Sequence, residues 1–195
     1  MGKRSDYERK ERDFYPTPME AFLPLLPHLP YNFTYIEPCA GDGELIKHME
    51  KYCSGGKLLY ASDIEPQNDM VGLFKLHKQD MFEISIPQNT QYIITNPPWD
   101  RGILHKMLEQ FPKKVGMWLL FDADWIHTKQ SIQFQHMLKS IVSIGRVKWI
   151  ADSKSVGKDN CAWYYFDDRP EWQQEDVKIK NGAINFYGKR ENKTR

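Results

Sequence analysis

The sequence has 195 residues and a formal net charge of +1. With 41% hydrophobic and 27% charged residues, the composition is globular, which excludes a disordered, collagen-like or coiled-coil chain. At about 150 residues per domain, we expect one domain with a full core. Three scattered cysteines predict no disulfide framework, the N-terminus lacks the apolar stretch of a signal peptide, and no apolar run is long enough for a membrane span. We therefore expect a cytoplasmic protein.

The predicted elements alternate between strands and helices. In chain order we predict a helix from Thr17, opened by a capping box with Glu20, a strand at 33–37, a helix at 43–53 capped by Asp42, strands at 57–62, just before Asp80 and at 92–95, a helix at 103–111, a strand at 115–121, a helix at 130–140, and strands at 144–150 and 162–167. This alternation favours a mostly parallel sheet covered by helices. The last two strands are joined by a polar loop and are predicted to pair antiparallel.

Basic residues are concentrated at a few places along the chain. We divide the chain into a flexible basic arm at 1–13, one domain at 14–168 and a basic tail at 169–195, with a further hairpin possible around Asn181. Residues 146–158 carry four basic side chains and one acidic, and residues 178–195 carry six basic and one acidic. The near-zero net charge therefore does not oppose contact with nucleic-acid phosphates.

The predicted strand ends carry residues that suit a nucleoside. In an open parallel sheet, ligands bind beyond the carboxyl ends of the strands. Gly41 and Gly43 follow the first strand, Asp63 ends the second and suits the hydroxyls of a ribose, and Asp80 follows the third. The turn lacks the G-x-G-x-x-G spacing, which disfavours a dinucleotide. A structural turn and surface aspartates are the alternative interpretation of these positions.

The tetrapeptide Asn96-Pro97-Pro98-Trp99 follows the fourth strand. Two prolines hold the backbone rigid and leave its carbonyls exposed. The Asn96 side-chain oxygen and the Pro97 carbonyl would accept both hydrogens of an amino group, while the Trp99 ring stacks on the attached base. This pairing localises the nitrogen lone pair and makes the amine nucleophilic. A purely structural Pro-Pro turn is the alternative.

Together these motifs resemble the S-adenosylmethionine-dependent amino-methyltransferases of the NPPW type, and they are similar to the DNA adenine-N6 methyltransferases. The resemblance spans residues 14 to 167 and is carried by Phe-Tyr-Pro-Thr-Pro at 14–18, the glycine-rich turn at 37–43, the two aspartates and the tetrapeptide at 96–99. It implies a Rossmann-like methyltransferase fold, with a mostly parallel seven-stranded sheet and a C-terminal antiparallel hairpin. It also implies direct methyl transfer to an adenine flipped out of the DNA stack.

The resemblance assigns roles to individual positions. The implied S-adenosylmethionine-binding residues are Tyr15, Thr17, Pro18, Glu37, Ala40, Gly41, Gly43, Asp63, Ile64, Asp80 and Met81. The implied catalytic residues are Asn96, Pro97, Pro98 and Trp99. Trp99 and Trp163 are the implied contacts of the substrate base, although a core position is the alternative for Trp163. No metal is expected, because the histidines show no metal-ligand spacing.

Other acceptors fit the same motif. RNA adenine has the same local chemistry as DNA adenine. Protein glutamine is disfavoured, because only about 35 residues precede the glycine-rich turn, and cytosine-N4 enzymes generally carry Ser at position 96. A catalytically silent nucleic-acid-binding module is a further alternative. No segment is long enough for a separate target-recognition domain, so we expect recognition by loops, tails or a second subunit, in a monomer or homodimer of the kind found in phages.

Overall fold

The structure is a computed structural model and describes residues 15–150, 157–173 and 183–184. The predicted arm at 1–13, Phe14, the hairpin predicted around Asn181 and nearly all of the basic segment 178–195 lie outside the described residues. So does the middle of the loop at 146–158, residues 151–156.

Ten strands and three α-helices are present in the described ranges. The strands are β1 (Phe33–Glu37), β2 (Gly56–Asp63), β3 (Met70–Val71), β4 (Phe74–Lys75), β5 (His77–Lys78), β6 (Tyr92–Thr95), β7 (Gly116–Asp122), β8 (Leu138–Arg146), β9 (Asn160–Phe166) and β10 (Ala183–Ile184). The helices are α1 (Met19–Phe22), α2 (Glu44–Tyr52) and α3 (Arg101–Gln110). Short 3-10 helices cover Leu23–His28, Met81–Glu83, Ala123–His127, Lys129–Met137 and Glu171–Gln173.

The main sheet has the strand order β10-β8-β9-β7-β6-β1-β2-β5. Strands β5, β2, β1, β6 and β7 pair in parallel, whereas β9 is antiparallel to both β7 and β8. Seven strands come from residues 15–173, and β10 adds two residues beside β8. The predicted mostly parallel seven-stranded sheet with a C-terminal antiparallel hairpin is confirmed. Strands β3 and β4 form a separate hairpin.

The core lies on both faces of the central strands. All four residues of β6 are buried, and all residues of β7 except Asp122 are buried as well. One cluster gathers Ile94 and Trp118 on one face, and a second gathers Ile93 and Leu119 on the other. Burial on both faces explains why these strands are continuous apolar runs without polar alternation.

Two predicted helices differ from the structure. Thr17 does not cap α1, because Pro18 occupies the N-cap position and no side chain bonds the first turn; Pro24 and Pro27 then leave only 3-10 turns after Phe22. The helix predicted at 130–140 is wrong, since residues Lys129–Met137 form 3-10 turns and β8 begins at Leu138. Pairing with the aromatic strand β9 stabilises an extended backbone there, which overrides the local helical pattern.

Among the residues that the structure describes, no helix is both long enough and apolar enough to cross a membrane. In the same ranges, no group of three or more histidine, cysteine, aspartate or glutamate residues has the arrangement needed for a metal ion.

Candidate functional site

A cavity of about 730 Å³ lies at the carboxyl ends of β1, β2 and β6. Parallel strands end at this edge of the sheet, so the residues that follow them meet there. The predicted site residues that border the cavity are Tyr15, Thr17, Glu37, Ala40, Gly41, Asp63, Ile64, Asp80, Met81, Asn96 and Pro98. These residues come from positions up to 83 apart in the sequence, and the fold brings them to one cavity.

The first turn of α3 also borders the cavity, which the sequence analysis missed. Asp100 is the N-cap of this helix and its Oδ1 accepts the Ile103 N–H at 2.9 Å. Gly102, Ile103 and Lys106 line the cavity next to it. A usable signal was present, because α3 directly follows the tetrapeptide at 96–99. Further lining residues that were missed are Cys39, Glu65 and Gln67.

The glycine turn after β1 is held by the aspartate that ends β2. Gly41 has a φ of +55°, and its N–H donates to Asp63 Oδ2 at 2.8 Å. The Glu65 N–H donates to the other oxygen, Oδ1, at 2.8 Å. Each Asp63 oxygen thus accepts one backbone N–H and keeps a further lone pair. The carboxylate is therefore fixed at the cavity wall with capacity for a ligand's hydroxyl groups.

Gly43 does not border the cavity, although the resemblance implies a binding role for it. It is the N-cap of α2 with a φ of +83°, and a Cβ at this position would lie 2.0 Å from Val71 Cγ2. Asp42, the predicted cap, contributes a bond from the Glu44 N–H to its Oδ1 at 3.2 Å. Gly43 is thus required for the backbone turn and for the close approach of Val71.

Glu37 is the most deeply buried acid in the cavity wall, with 1% of its surface exposed. Its Oε1 accepts a hydrogen bond from the Thr95 hydroxyl, and within the described ranges its Oε2 is buried without a hydrogen-bond partner. Burial raises the pKa of Glu37 to about 8, and the Thr95 bond opposes this only in part. The carboxyl is therefore largely protonated at neutral pH until a cation lies beside it.

The cavity wall is strongly acidic. Its acidic residues are Glu37, Asp42, Glu44, Asp63, Glu65, Asp80 and Asp100, whereas Lys106 is the basic residue of the lining. Lys106 Nζ lies 3.8 Å from the centre of the Phe82 ring. Burial also raises the pKa of Asp42 and holds that of the Cys39 thiol well above its usual value. Such a wall favours a ligand that carries positive charge.

Asn96 is held in one orientation at the end of β6. Its Nδ2 donates to the Tyr15 carbonyl at 3.3 Å and to Thr17 Oγ1 at 3.2 Å. Because a carbonyl only accepts, Nδ2 must face Tyr15, and Oδ1 points the other way. The Thr17 carbonyl in turn bonds to His48 Nε2 of α2 at 2.9 Å. The segment at 15–17 therefore links the glycine-turn half of the cavity to the Asn96 half.

Aromatic rings surround Trp99 next to the cavity. Trp99 and Pro97 do not line the cavity, although Pro98 and Asp100 on either side do. The Trp99 ring lies 5.7 Å from that of Phe121 and meets the Trp149 ring edge-on at 5.5 Å. Trp149 also lies 6.4 Å from the Tyr15 ring. Trp149 lies in the basic segment at 146–158 and is not among the predicted site residues.

Two of the implied contacts lie away from the cavity. Trp163 is fully buried, and its Nε1 donates to the Ala21 carbonyl at 2.8 Å. Its position in β9, between β7 and β8, makes it a core residue, so a contact with the substrate base is not supported. Pro18 begins α1 and does not border the cavity.

The fold is shared with solved structures, whereas no family model and no curated protein matches the sequence. A dimethyladenosine transferase from Plasmodium falciparum aligns with a TM-score of 0.54 and 10% identity, over 78% of this chain and 63% of that one. The chain has the Rossmann-like methyltransferase fold. The 23S rRNA methyltransferase ErmE aligns with a TM-score of 0.55 and 9% identity, over 80% of this chain and 71% of that one.

A methyltransferase subunit of the type I restriction-modification system from Streptococcus thermophilus aligns over 89% of this chain and 50% of its own length, with a TM-score of 0.53 and 10% identity. The chain thus spans half of that subunit and less than two thirds of the Plasmodium enzyme. At these identities the likeness is one of fold.

Proposed function

We propose that the protein transfers a methyl group from S-adenosylmethionine to the N6 amino group of adenine in DNA. The observation that carries the proposal is the position of Asn96. It lies at the end of a central parallel strand, on the wall of an acidic cavity that also holds Glu37 and Asp63. An amine acceptor and a site for a cationic nucleoside thus share one cavity.

The residues of the cavity fit S-adenosylmethionine. The buried Glu37 Oε2, which has no bond in the described part of the chain, suits an ammonium group. Asp63 suits the ribose hydroxyls, and Asp80, whose Oδ1 accepts the Phe82 N–H at 2.9 Å, suits the adenine amino group. When bound, S-adenosylmethionine supplies a methyl group on a positively charged sulfur, which the acidic wall would favour.

Asn96 would prepare the amine of the substrate. Its Oδ1 and the neighbouring Pro97 carbonyl would each accept one hydrogen of the amino group, which draws the nitrogen lone pair toward the methyl donor. The bond from Nδ2 to the Tyr15 carbonyl supports this role, because it turns Oδ1 away from the segment at 15–17. The amide therefore needs no reorientation when the amine arrives.

Trp99 and Trp149 would hold the flipped base. Their rings lie edge-on, 5.5 Å apart, beside the part of the cavity that Pro98 and Asn96 border. Base stacking on an aromatic ring contributes about 1–3 kcal/mol. Trp149 takes the second-aromatic role that the resemblance assigns to the region of Trp163. It belongs to the basic loop at 146–158, whose cations suit the neighbouring phosphates.

Labelled methyl transfer to DNA, RNA and protein, measured in parallel, tests the proposal. We expect label in DNA, recovered as N6-methyladenine after digestion to nucleosides. Asn96→Ala should abolish it, whereas Asn160→Ala, at the exposed start of β9, should not. Label found only in RNA or only in protein would mean that this molecule, and not DNA, is the methyl acceptor. No label in any acceptor, or label that survives Asn96→Ala, would overturn it.

A further inference from the structure

We propose that the indole N–H of Trp99 is a positioning group, which holds Oδ1 of Asn96 in place for the substrate amine. This inference rests on the proposed function. Trp99 Nε1 donates to Asn96 Oδ1 at 3.3 Å, within the same tetrapeptide. Trp99 would therefore act twice, through its ring on the base and through its N–H on the residue that binds the reacting amine.

The bond completes a set of contacts that fix the whole Asn96 amide. Nδ2 is anchored on the Tyr15 carbonyl and the Thr17 hydroxyl, and Oδ1 is anchored by Trp99. An amide oxygen has two lone pairs, so one remains for the substrate after the indole N–H has taken the other. The anchor is therefore compatible with substrate binding and requires no movement of Trp99.

The indole is itself held, so the direction of its N–H is defined. Phe121, from β7, packs against the ring at an interplanar angle of 42°, and Trp149, beyond β8, meets it at 84°. Trp99 is half-buried and packs against both core clusters. A ring that is held between the side chains of Phe121 and Trp149 loses little further freedom when its N–H bonds to Asn96.

Tryptophan is required for this arrangement. Phenylalanine keeps an aromatic face but has no donor, and the tyrosine hydroxyl lies at the far end of the ring from the position of Nε1. A single neutral hydrogen bond contributes about 1 kcal/mol, or roughly a fivefold change in rate when it acts only on the reacting geometry. Substitutions at position 99 can therefore distinguish the contribution of the N–H from that of the aromatic ring.

The test compares Trp99→Phe with Trp99→Leu, using Trp125→Phe as a matched control. Trp125 Nε1 also donates over 3.3 Å, to His105 Nε2, and does not border the cavity. We expect Trp99→Phe to lower kcat about fivefold while KM for DNA stays unchanged, because the stacking ring remains. Trp99→Leu should lower kcat and raise KM together, and Trp125→Phe should change neither constant.

A double-mutant cycle of Trp99→Phe and Asn96→Ala, measured by chemical unfolding, tests the bond without any activity. We expect a favourable coupling of the two side chains in the wild type, and zero coupling would overturn the inference. An unchanged kcat in Trp99→Phe would also overturn it, as would an increase, which would mean that the N–H competes with the substrate. A wild type that methylates no acceptor would instead overturn the proposed function.

Discussion

Thr95, the last residue of β6, donates its hydroxyl hydrogen to Oε1 of Glu37, the last residue of the neighbouring strand β1. The bond satisfies one oxygen of a buried carboxyl that borders the cavity, and in the described part of the chain the other oxygen, Oε2, is buried without a hydrogen-bond partner. When such a buried carboxyl is ionised, its unpaired charge destabilises the fold. The same unpaired charge favours the binding of a cation beside it.

Glu37→Gln should stabilise the protein at pH 8 by roughly 4 kcal/mol, since it removes an acid whose pKa is raised by burial. With a pKa of about 8 in the folded protein and about 4.5 unfolded, the wild type loses stability as pH rises from 4.5 to 8. The amide variant does not titrate, so the two unfolding free energies should converge near pH 4. Urea unfolding at both pH values measures this. The exposed Glu109→Gln is the control, and an equal gain there would contradict the prediction.

The affinity for S-adenosylmethionine should be greatest near pH 8. Below this pH, Glu37 must release its proton to pair with the ligand's ammonium group; above it, the ligand's amine, with a pKa of about 7.8, must gain one. Calorimetry in two buffers of different ionisation enthalpy should therefore detect proton release at pH 7 and uptake at pH 9. Glu37→Gln should bind at least tenfold more weakly at pH 8 and lose the acidic limb of the profile. A flat profile in the wild type would refute the pairing.

Asp63→Ala should lower both ligand affinity and stability. The substitution removes the acceptor of the Gly41 and Glu65 N–H groups, at a cost of roughly 1–3 kcal/mol, and it removes the acceptor for the ribose. Asp63→Asn should rescue little, because an amide has one oxygen for two backbone donors. Equilibrium unfolding and ligand titration measure the two effects. Full affinity in Asp63→Asn would argue against the double role of this carboxylate.

Gly43→Ala should destabilise the fold more than Gly145→Ala. Both glycines have positive φ, +83° and +76°, so both substitutions carry a backbone strain of about 1 kcal/mol. A Cβ at position 43 would also meet Val71 at 2.0 Å, whereas nothing lies within 4 Å at position 145. Val71→Ala should therefore relieve part of the Gly43→Ala effect and none of the Gly145→Ala effect. Thermal unfolding of the wild type, the three single variants and the two double variants checks this order.

Trp149→Ala and Trp163→Phe should separate substrate binding from stability. Trp163→Phe removes a buried hydrogen bond to the Ala21 carbonyl and should lower the unfolding free energy by roughly 1–3 kcal/mol, with unchanged KM for DNA. Trp149→Ala removes a ring beside Trp99 and should raise KM for DNA roughly fivefold or more. Steady-state kinetics and unfolding of both variants decide the assignment. If Trp163→Phe raised KM for DNA and Trp149→Ala did not, Trp163 and not Trp149 would be the second aromatic residue that contacts the substrate base.

Much of the fold was predictable because buried strands and their stop signals are local in the sequence. The predicted strand at 92–95 has the bounds of β6, since the buried run Tyr-Ile-Ile-Thr is followed by Asn96 and then by two prolines. The order in which strand ends occur then located Asn96, Asp63 and Asp80 at one edge of the sheet, because parallel strands point the same way. For these residues, the positions predicted from the sequence agree with the positions in the sheet.

The differences between the prediction and the structure involve contacts between distant segments. Residues 138–140 were predicted as the end of a helix, but they pair with β9, which follows more than 20 residues later. Trp163 was a candidate for the substrate base because a single strand does not reveal what covers its faces. The insertion of β9 between β7 and β8 buries it. Trp149 had no distinctive spacing, and the fold alone brings it to Trp99.

The strand ends, the glycine turn and the rigid tetrapeptide at 96–99 could be read from the sequence, because short-range sterics and hydrophobic burial fix these features. The raised pKa of Glu37, the fixed orientation of Asn96 and the identity of the ring beside Trp99 could not be read from the sequence and depend on the folded structure. Each of these depends on desolvation or on a hydrogen bond between segments far apart in the chain, such as Tyr15 with Asn96. Such interactions form only when the chain folds and brings these distant segments into contact.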